Sequence, residues 1–425
     1  MTAAGLLDQY RRGQVSPVEV VAAVEERAAE VEPTFNTLTA TAFEQARADA
    51  AASAARYAEG RPLPLDGVPV VVKDMIDTAG LRTTYGSKMF VDHVPHDDAP
   101  VVAALRAAGA VVVGKAATHE FAWGITTDNA HFGPTRNPRS PAHVPGGSSG
   151  GSGAALAAGL VPLALGTDTV GSVRIPAAFC GVVGLRPTYG LVDTTGVFPL
   201  APSFDVVGPM AATVADVRLL LGAMAPVGGA RASARIGVCP DLDQLPLGPW
   251  ARAGLDAALR LAGDVATVAF PDAPPLFETA STIVLAEALH THRRAGLWPS
   301  RADDYSDELR PRFASAEAVN LPRYLDAQEA RRRLMRTVAG LFEEVDVLLS
   351  AVSTVAPLPI GADPTGFREA VMTCTALQSL CGLPACVVPV GVDAEGLPTA
   401  VQVTGACGAD ALVLDAAERL QSHLQ

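Results

Sequence analysis

Gly146-Gly147-Ser148-Ser149-Gly150-Gly151-Ser152-Gly153 runs into Ala154-Ala155-Leu156-Ala157-Ala158-Gly159, then into the apolar residues 161–165 and a second glycine-rich turn, Gly166-Thr167-Asp168-Thr169-Val170-Gly171-Ser172-Val173-Arg174-Ile175-Pro176. The pattern reads as a loop, a small-residue helix with glycine at its end, a strand, and a tight turn that opens a short helix. Upstream, Gly67-Val68-Pro69-Val70-Val71-Val72-Lys73-Asp74 is a buried-strand run ending in charge. Residues 99–108 read as a helix and 110–113 as the next strand, followed by a loop-rich segment with short helices to 146. Helical spacing covers residues 4–57, where Ser16, Pro17 and Glu19 spell a capping box with proline at the first helical position. Downstream, residues 213–345 alternate helix-like segments with one strand at 234–238. Residues 385–392 and 399–404 flank Asp393-Ala394-Glu395-Gly396 as a β-hairpin. No repeat or low-complexity linker divides the chain, so the expectation is one α/β domain around a mixed sheet covered by helices.

The 425 residues are 49% hydrophobic, and 32 basic against 45 acidic side chains leave a net charge of −13. A chain of that size buries a large core, which excludes disorder as the main state. The acidic balance, with no basic run longer than Arg331-Arg332-Arg333, argues against binding to nucleic acid or anionic membrane through bulk charge. No secretory leader pattern opens the sequence and no apolar stretch attains the roughly 18 residues of a membrane span, so a cytoplasmic location is expected. Six cysteines (Cys180, Cys239, Cys374, Cys381, Cys386 and Cys407) form no CxxC pair. Neither a zinc site nor a disulfide framework is indicated, and most should be small buried apolar residues.

Of the 32 basic residues only Lys73, Lys88 and Lys115 are lysines. Lys73 ends a valine run, where burial disfavours the ammonium form. A neutral lysine can act as a base, which arginine cannot. A lysine leaving a strand end and pairing with Asp74 or Asp77 accounts for the same residues. Lys88 and Lys115 show no comparable setting. The glycine-rich segments do not read as phosphate loops: no lysine follows residues 146–153 as a Walker A motif needs, and the third glycine of a dinucleotide fingerprint would fall on Leu156. Ser172, on a turn where backbone N–H groups converge, has the setting of a nucleophile beside an oxyanion hole. It is not a hydrolase elbow, because Val170 and Arg174 stand where that motif has glycine. A helix cap is the structural alternative. Eight histidines could in principle complete a Ser-His-Asp triad, with His119 and His131 among the candidates near glycine-rich sequence, but most lone histidines are surface or hydrogen-bonded structural residues.

Residues 146–155, 166–176, Phe179-Cys180-Gly181-Val182-Val183-Gly184-Leu185-Arg186-Pro187-Thr188-Tyr189-Gly190 and Ser203-Phe204-Asp205-Val206-Val207-Gly208-Pro209-Met210 together resemble the amidase signature family. Residues 67–74 resemble its lysine block and 382–398 its closing hairpin, leaving 220–345 as the weakly matching part. The resemblance implies a Ser-Ser-Lys triad: Ser172 as the nucleophile that forms an acyl-enzyme, Ser148 after a cis Gly147–Ser148 peptide as proton relay, and Lys73 as neutral general base. It further implies an oxyanion hole from the N–H groups of Thr169, Val170, Gly171 and Ser172. Asp168 and Arg174 would support the turn as a pair. The family usually has glycine at the position of Val170, which here would reshape the turn or narrow the pocket. Phe121, Trp123 and Ile125, together with residues 321–327, are the substrate-pocket candidates, although Phe121 and Trp123 read equally well as core.

The implied activity is a cofactor-independent, metal-free amidohydrolase acting on a small amide, with ester or carbamate hydrolysis as alternatives. One branch is the amide-hydrolysing subunit of a tRNA-dependent amidotransferase. No glutamine-carboxylate signature is visible in residues 307–333, so a stand-alone amidase ranks above that branch, and a non-catalytic scaffold ranks last. Neither nucleic acid nor membrane is an expected partner, and a homodimer is left open. The domain would comprise a helical segment of about residues 1–60, a signature core to about 215, a variable helical region to about 345, and a C-terminal hairpin and helix to 425.

Overall fold

In the computed structural model, which describes residues 1–229, 234–270 and 273–423, helices and strands alternate along the whole chain. The N-terminal part holds α1 (Ala3–Arg11), α2 (Pro17–Phe35), β1 (Leu38–Thr41), α3 (Phe43–Ala58), β2 (Pro69–Lys73), α4 (Pro100–Ala107), β3 (Val111–Ala116) and a two-strand pair, β4 (Asp128–Asn129) and β5 (Gly133–Pro134). There follow α5 (Gly150–Ala157), β6 (Leu163–Asp168), α6 (Arg174–Cys180), β7 (Val183–Arg186), β8 (Val206–Ala211) and α7 (Val214–Met224). The remainder is β9 (Ile236–Val238), α8 (Pro249–Ala262), β10 (Ala266–Thr267), α9 (Leu276–Arg294), α10 (Leu309–Glu317), α11 (Leu321–Glu344), β11 (Val347–Ala351), α12 (Phe367–Cys381), β12 (Ala385–Val392), β13 (Pro398–Gly405) and α13 (Asp410–Ser422).

Eleven strands form one mixed sheet in the order β1-β3-β2-β6-β8-β7-β12-β13-β11-β9-β10. β3, β2 and β6 run parallel, and β6 meets β8 antiparallel. Helices cover both faces, so the central strands are apolar on both sides. Val71, Val111 and Val113 enter one core, while Val70, Val72 and Val112 enter the other, the period of two expected of a pleated strand. The α/β class and mixed sheet are as the sequence indicates, and the closing hairpin pairs Ala385 with Thr404 through Val392 with Pro398. The capping box is present too: Glu19 N donates to Ser16 Oγ at 3.2 Å and Ser16 N donates to Glu19 Oε2 at 2.8 Å.

Three differences are physical. β1 interrupts the helical spacing of residues 4–57, because it pairs antiparallel with β3, a long-range contact that local periodicity does not encode. The region 213–345 holds a second strand, β10, lying parallel to β9, although residues 230–233 and 271–272 of that region fall outside the described residues. Helix α5 begins at Gly150 rather than at Ala154, so three glycines lie inside it. A Cβ on Gly151 would stand 2.3 Å from Ala117 N and 2.6 Å from Thr37 O. Close approach to those backbones outweighs the poor helix propensity of glycine. Among the described residues no helix is long and apolar enough to cross a membrane.

Candidate active site

β2 and β6 are adjacent and parallel, with Val72 opposite Leu165, so their carboxyl ends bring Lys73 and Thr167 to the same edge of the sheet. Open α/β sheets place their sites at such ends. Lys73 is fully buried, and its Nζ donates to Thr167 Oγ1 and to Ser148 Oγ, each at 2.7 Å. Burial drives its pKa from 10.5 down to about 7, against the opposing pull of Asp168 and Asp205. The alternative pairing with Asp74 or Asp77 is not made: Asp74 accepts from Thr84 N and Oγ1, and Asp77 accepts from Tyr85 Oη.

Ser148 follows a cis Gly147–Ser148 peptide, and Ser149 clamps this loop to β6. Ser149 Oγ donates to Thr167 O at 3.1 Å and accepts from Thr167 N at 3.2 Å, while Ser149 N donates to Ser172 O at 3.2 Å. These bonds fix the two serine-bearing loops against each other. Among the described residues no hydrogen bond reaches Ser172 Oγ, so the structure joins Lys73 to Ser148 but does not join Ser148 to Ser172.

The turn carrying Ser172 is built around Asp168. Its Oδ2 accepts from Arg174 Nε at 3.0 Å and its Oδ1 from Arg186 Nη1 at 3.1 Å, all three side chains being fully buried. Burial alone would raise the Asp168 carboxyl, but the two guanidiniums hold it far below the usual carboxylate range. The expected Asp168–Arg174 pair is therefore present and extended by Arg186. Gly171 N, expected among the oxyanion donors, instead donates to Asp168 Oδ1 at 2.8 Å, because the carboxylate sits inside the turn. Gly171 has φ +106°, and a Cβ there would stand 2.6 Å from Thr375 Oγ1. Thr375 Oγ1 in turn donates to Val170 O at 3.0 Å, and Arg174 Nη1 donates to Gln378 Oε1 at 3.0 Å, so α12 holds the turn from outside. Thr169 Oγ1 donates to Asp205 Oδ1 at 2.6 Å, and burial pushes Asp205 up to about 6.

Ser172 lies in the wall of a cavity of about 20 Å³, room for about one water molecule. Trp123, Ile125, Thr169 and Val170 share that wall, joined by Val284 from α9 and by Arg368 and Met372 from α12. Two expectations are corrected here. Phe121 is outside the cavity: its ring packs 4.7 Å from that of His292 and 5.0 Å from that of Phe198, in an aromatic core. Residues 321–327 are also outside, with Leu321 67% exposed, and α9 and α12 supply the wall in their place. No motif spacing marked Val284, Arg368 or Met372.

A histidine triad is not assembled. His119 Nε2 faces Glu308 Oε2 at 3.3 Å and His131 Nε2 meets Glu120 Oε1 at 2.8 Å, and neither bonds Ser172. Lys115, set aside on sequence, is as buried as Lys73. Strand β3 continues past Val113 and places Lys115 opposite Val72, where Nζ donates to Ile76 O and Thr78 Oγ1 and burial lowers its pKa to about 8. Four cysteines are buried, Cys374 is partly so, Cys407 is exposed, and none is bridged. Among the described residues no group of His, Cys, Asp and Glu could hold a metal ion.

The site thus offers a hydroxyl in a cavity wall and a second hydroxyl bonded to a buried amine of near-neutral pKa. Residues 19–414 match the Amidase family profile. A glutamyl-tRNA(Gln) amidotransferase subunit of Roseiflexus castenholzii is 37% identical over 453 aligned residues, covering 95% of this chain and 92% of its own. A solved chain from "an unexpected vestigial protein complex" that "reveals the evolutionary origins of an s-triazine catabolic enzyme" superposes with a TM-score of 0.94 at 34% identity over 100% of both chains. A solved amidase gives 0.92 at 33% identity, again over 100% of both. The chain belongs to the amidase signature family, whose members act on amide C–N bonds.

Proposed function

We propose that this chain is a serine amidohydrolase cleaving the C–N bond of a small carboxamide, with Ser172 as nucleophile, Ser148 as proton relay and Lys73 as general base. The observation that carries the reading is the 2.7 Å contact between Ser148 Oγ and a fully buried Lys73 whose pKa is lowered to about 7. A hydroxyl nucleophile needs a base, and a base poised near the working pH is the most effective one. Ser172 Oγ attacks the carbonyl carbon, its proton passes to Ser148 Oγ, and the Ser148 proton passes to Lys73 Nζ. The tetrahedral intermediate collapses with the proton returned through Ser148 to the leaving nitrogen, freeing ammonia or an amine. Water then hydrolyses the ester on Ser172 by the same route. Because Gly171 N is committed to Asp168, the oxyanion is assigned to the N–H groups of Thr169, Val170 and Ser172. The relay requires Ser172 Oγ to close on Ser148 as substrate binds, a tightening common to catalytic hydrogen bonds.

A fluorophosphonate probe tests the nucleophile. Intact-mass analysis should show single labelling of the wild type and none of Ser172→Ala, and labelling that survives in Ser172→Ala would overturn the assignment. A panel of amides, esters and carbamates then separates the acyl-transfer substrates. The second reading, the amidase subunit of a tRNA-dependent amidotransferase, is supported by the Roseiflexus relative. Its 453 aligned positions nonetheless exceed the 425 residues of this chain, so the relative carries segments absent here. Ammonia release by the purified chain alone favours the stand-alone enzyme, and release only with a partner subunit favours the other.

A further inference from the structure

The cavity beside Ser172 has one charged residue in its wall, Arg368 in the first turn of α12. Among the described residues the Arg368 guanidinium has no carboxylate partner, and its one hydrogen bond runs from Nε to Met372 Sδ at 3.2 Å. The nearby charges are already engaged. Arg312 donates to Trp123 O and to Glu308 Oε1, and Glu308 Oε2 faces His119. Glu308 therefore bonds two partners and reaches Arg368 only through space, which leaves Arg368 without an ion pair of its own. Trp123, in the same wall, holds a buried indole N–H with no hydrogen-bond partner among the described residues. Apart from the Ser172 hydroxyl, the unspent polar groups named here are N–H donors, so the ligand that completes the wall presents acceptors.

We infer that Arg368 selects the substrate, receiving the carboxylate of a small amide that carries this second, anionic group while its carboxamide carbon faces Ser172 Oγ. The inference rests on the reading of Ser172 as nucleophile. A planar guanidinium matches a carboxylate in two parallel hydrogen bonds. A partly buried cation whose nearest carboxylate, Glu308, is already bonded to Arg312 and faces His119 is incompletely compensated, and a ligand anion relieves that cost. The cavity has room for about one water molecule, so its wall must open to admit even a short-chain ligand, and among the described residues Arg368 is held in that wall by a single weak sulfur contact.

The test compares kcat/KM on succinamate and malonamate with that on neutral butanamide and propanamide. The wild type should prefer the anionic amides. In Arg368→Gln the loss on the anionic amides should exceed the loss on the neutral ones by about 10- to 100-fold, the worth of hydrogen bonds to a charged group, and should lie mainly in KM. Arg368→Lys, which keeps the charge without the fork, should fall between. A wild type indifferent to the carboxylate, or equal losses on both substrate classes, would overturn the inference. Calorimetric binding of succinate to the Ser172→Ala protein separates the two readings: it should persist there and disappear when Arg368→Gln is added. Succinate binding unaffected by Arg368→Gln refutes the inference even if Ser172 is the nucleophile. Carboxylate binding lost with Arg368, in a protein whose turnover survives Ser172→Ala, upholds the subsite and refutes the nucleophile.

Discussion

Replacing Thr167 by valine keeps the shape of the side chain and removes one oxygen, the one that Lys73 Nζ contacts at 2.7 Å. The ammonium form of Lys73 gains more from that oxygen than the neutral amine does. A hydrogen bond to a charged group contributes about 1.5–3 kcal/mol and a neutral one about 0.5–1.5 kcal/mol. The difference, about 1–1.5 kcal/mol, is lost by the charged form alone, and 1.36 kcal/mol corresponds to one pKa unit. Burial has already brought Lys73 to about 7, so in Thr167→Val it should titrate near about 6. Because the base works when neutral, the acidic limb of kcat/KM should move down by roughly one pH unit. The variant should be more active relative to its own plateau at pH 6 than the wild type is. The assay is ammonia release between pH 5 and 9, normalised to the plateau, with fluorophosphonate labelling rate as a readout that needs no substrate. An acidic limb that stays in place in both would refute Lys73 as the titrating base.

Four further outcomes follow from the same geometry. Lys73→Met should be inactive yet more stable: lowering the lysine from 10.5 to about 7 costs about 4 kcal/mol at pH 7, and the lost bonds to Ser148 and Thr167 return about 2 kcal/mol. Its net advantage of about 2 kcal/mol in urea denaturation should shrink as pH rises from 7 towards 10.5. Over that range the unfolded lysine still binds the proton that the folded one has released, so the wild type gains stability. Gly151→Ala gains about 1 kcal/mol of helix propensity but drives a Cβ into the Ala117 and Thr37 backbones, so a large drop in Tm is expected and a rise would contradict the packing. Val170→Gly removes a side chain from the cavity wall and should extend the range of acyl groups turned over, read from kcat/KM against acyl length. Asp205→Asn removes a carboxylate that holds the Lys73 pKa up, so the acidic limb should again move to lower pH.

Much of the site was legible because its parts are local in sequence. The strand that ends at Lys73, the loop of Ser148 and the turn of Ser172 each announce themselves through composition, and the parallel pairing of β2 with β6 then assembles two of them at one sheet edge. What sequence could not supply is the material that arrives from elsewhere in the chain. Thr375 and Gln378 of α12 and Gln402 of β13 reach the Ser172 turn from more than 200 residues away, and nothing in the spacing of either element marks the residues that do so. Lys115 was missed because β3 runs three residues past the expected end, into a Gly-Lys pair that looks like a strand exit. For Phe121 the core alternative holds: it neighbours cavity residues in sequence, yet it has φ +49° and turns away from them into the aromatic core.

The placement of Lys73 shows how the fold sets a buried amine near neutrality with ordinary means. Burial on a strand flanked by valines would by itself push the amine far down, and Asp168 and Asp205 pull it back. Asp168 is kept ionised by Arg174 and Arg186 even though burial opposes it, so its contribution is constant over the working range. Asp205 is different. Burial has raised it to about 6, so it loses charge on acidification just below the pH at which Lys73 takes up its proton. The opposing carboxylate thus weakens as the lysine becomes charged. That disfavours the ammonium form and spreads its proton uptake over a wider pH range, so a neutral fraction of the base persists on the acid side. The buried Asp168 cluster is therefore more than a scaffold for the Ser172 turn: it carries the fixed charge in a balance whose variable part is Asp205, and both are joined to the turn through Thr169 and Gly171.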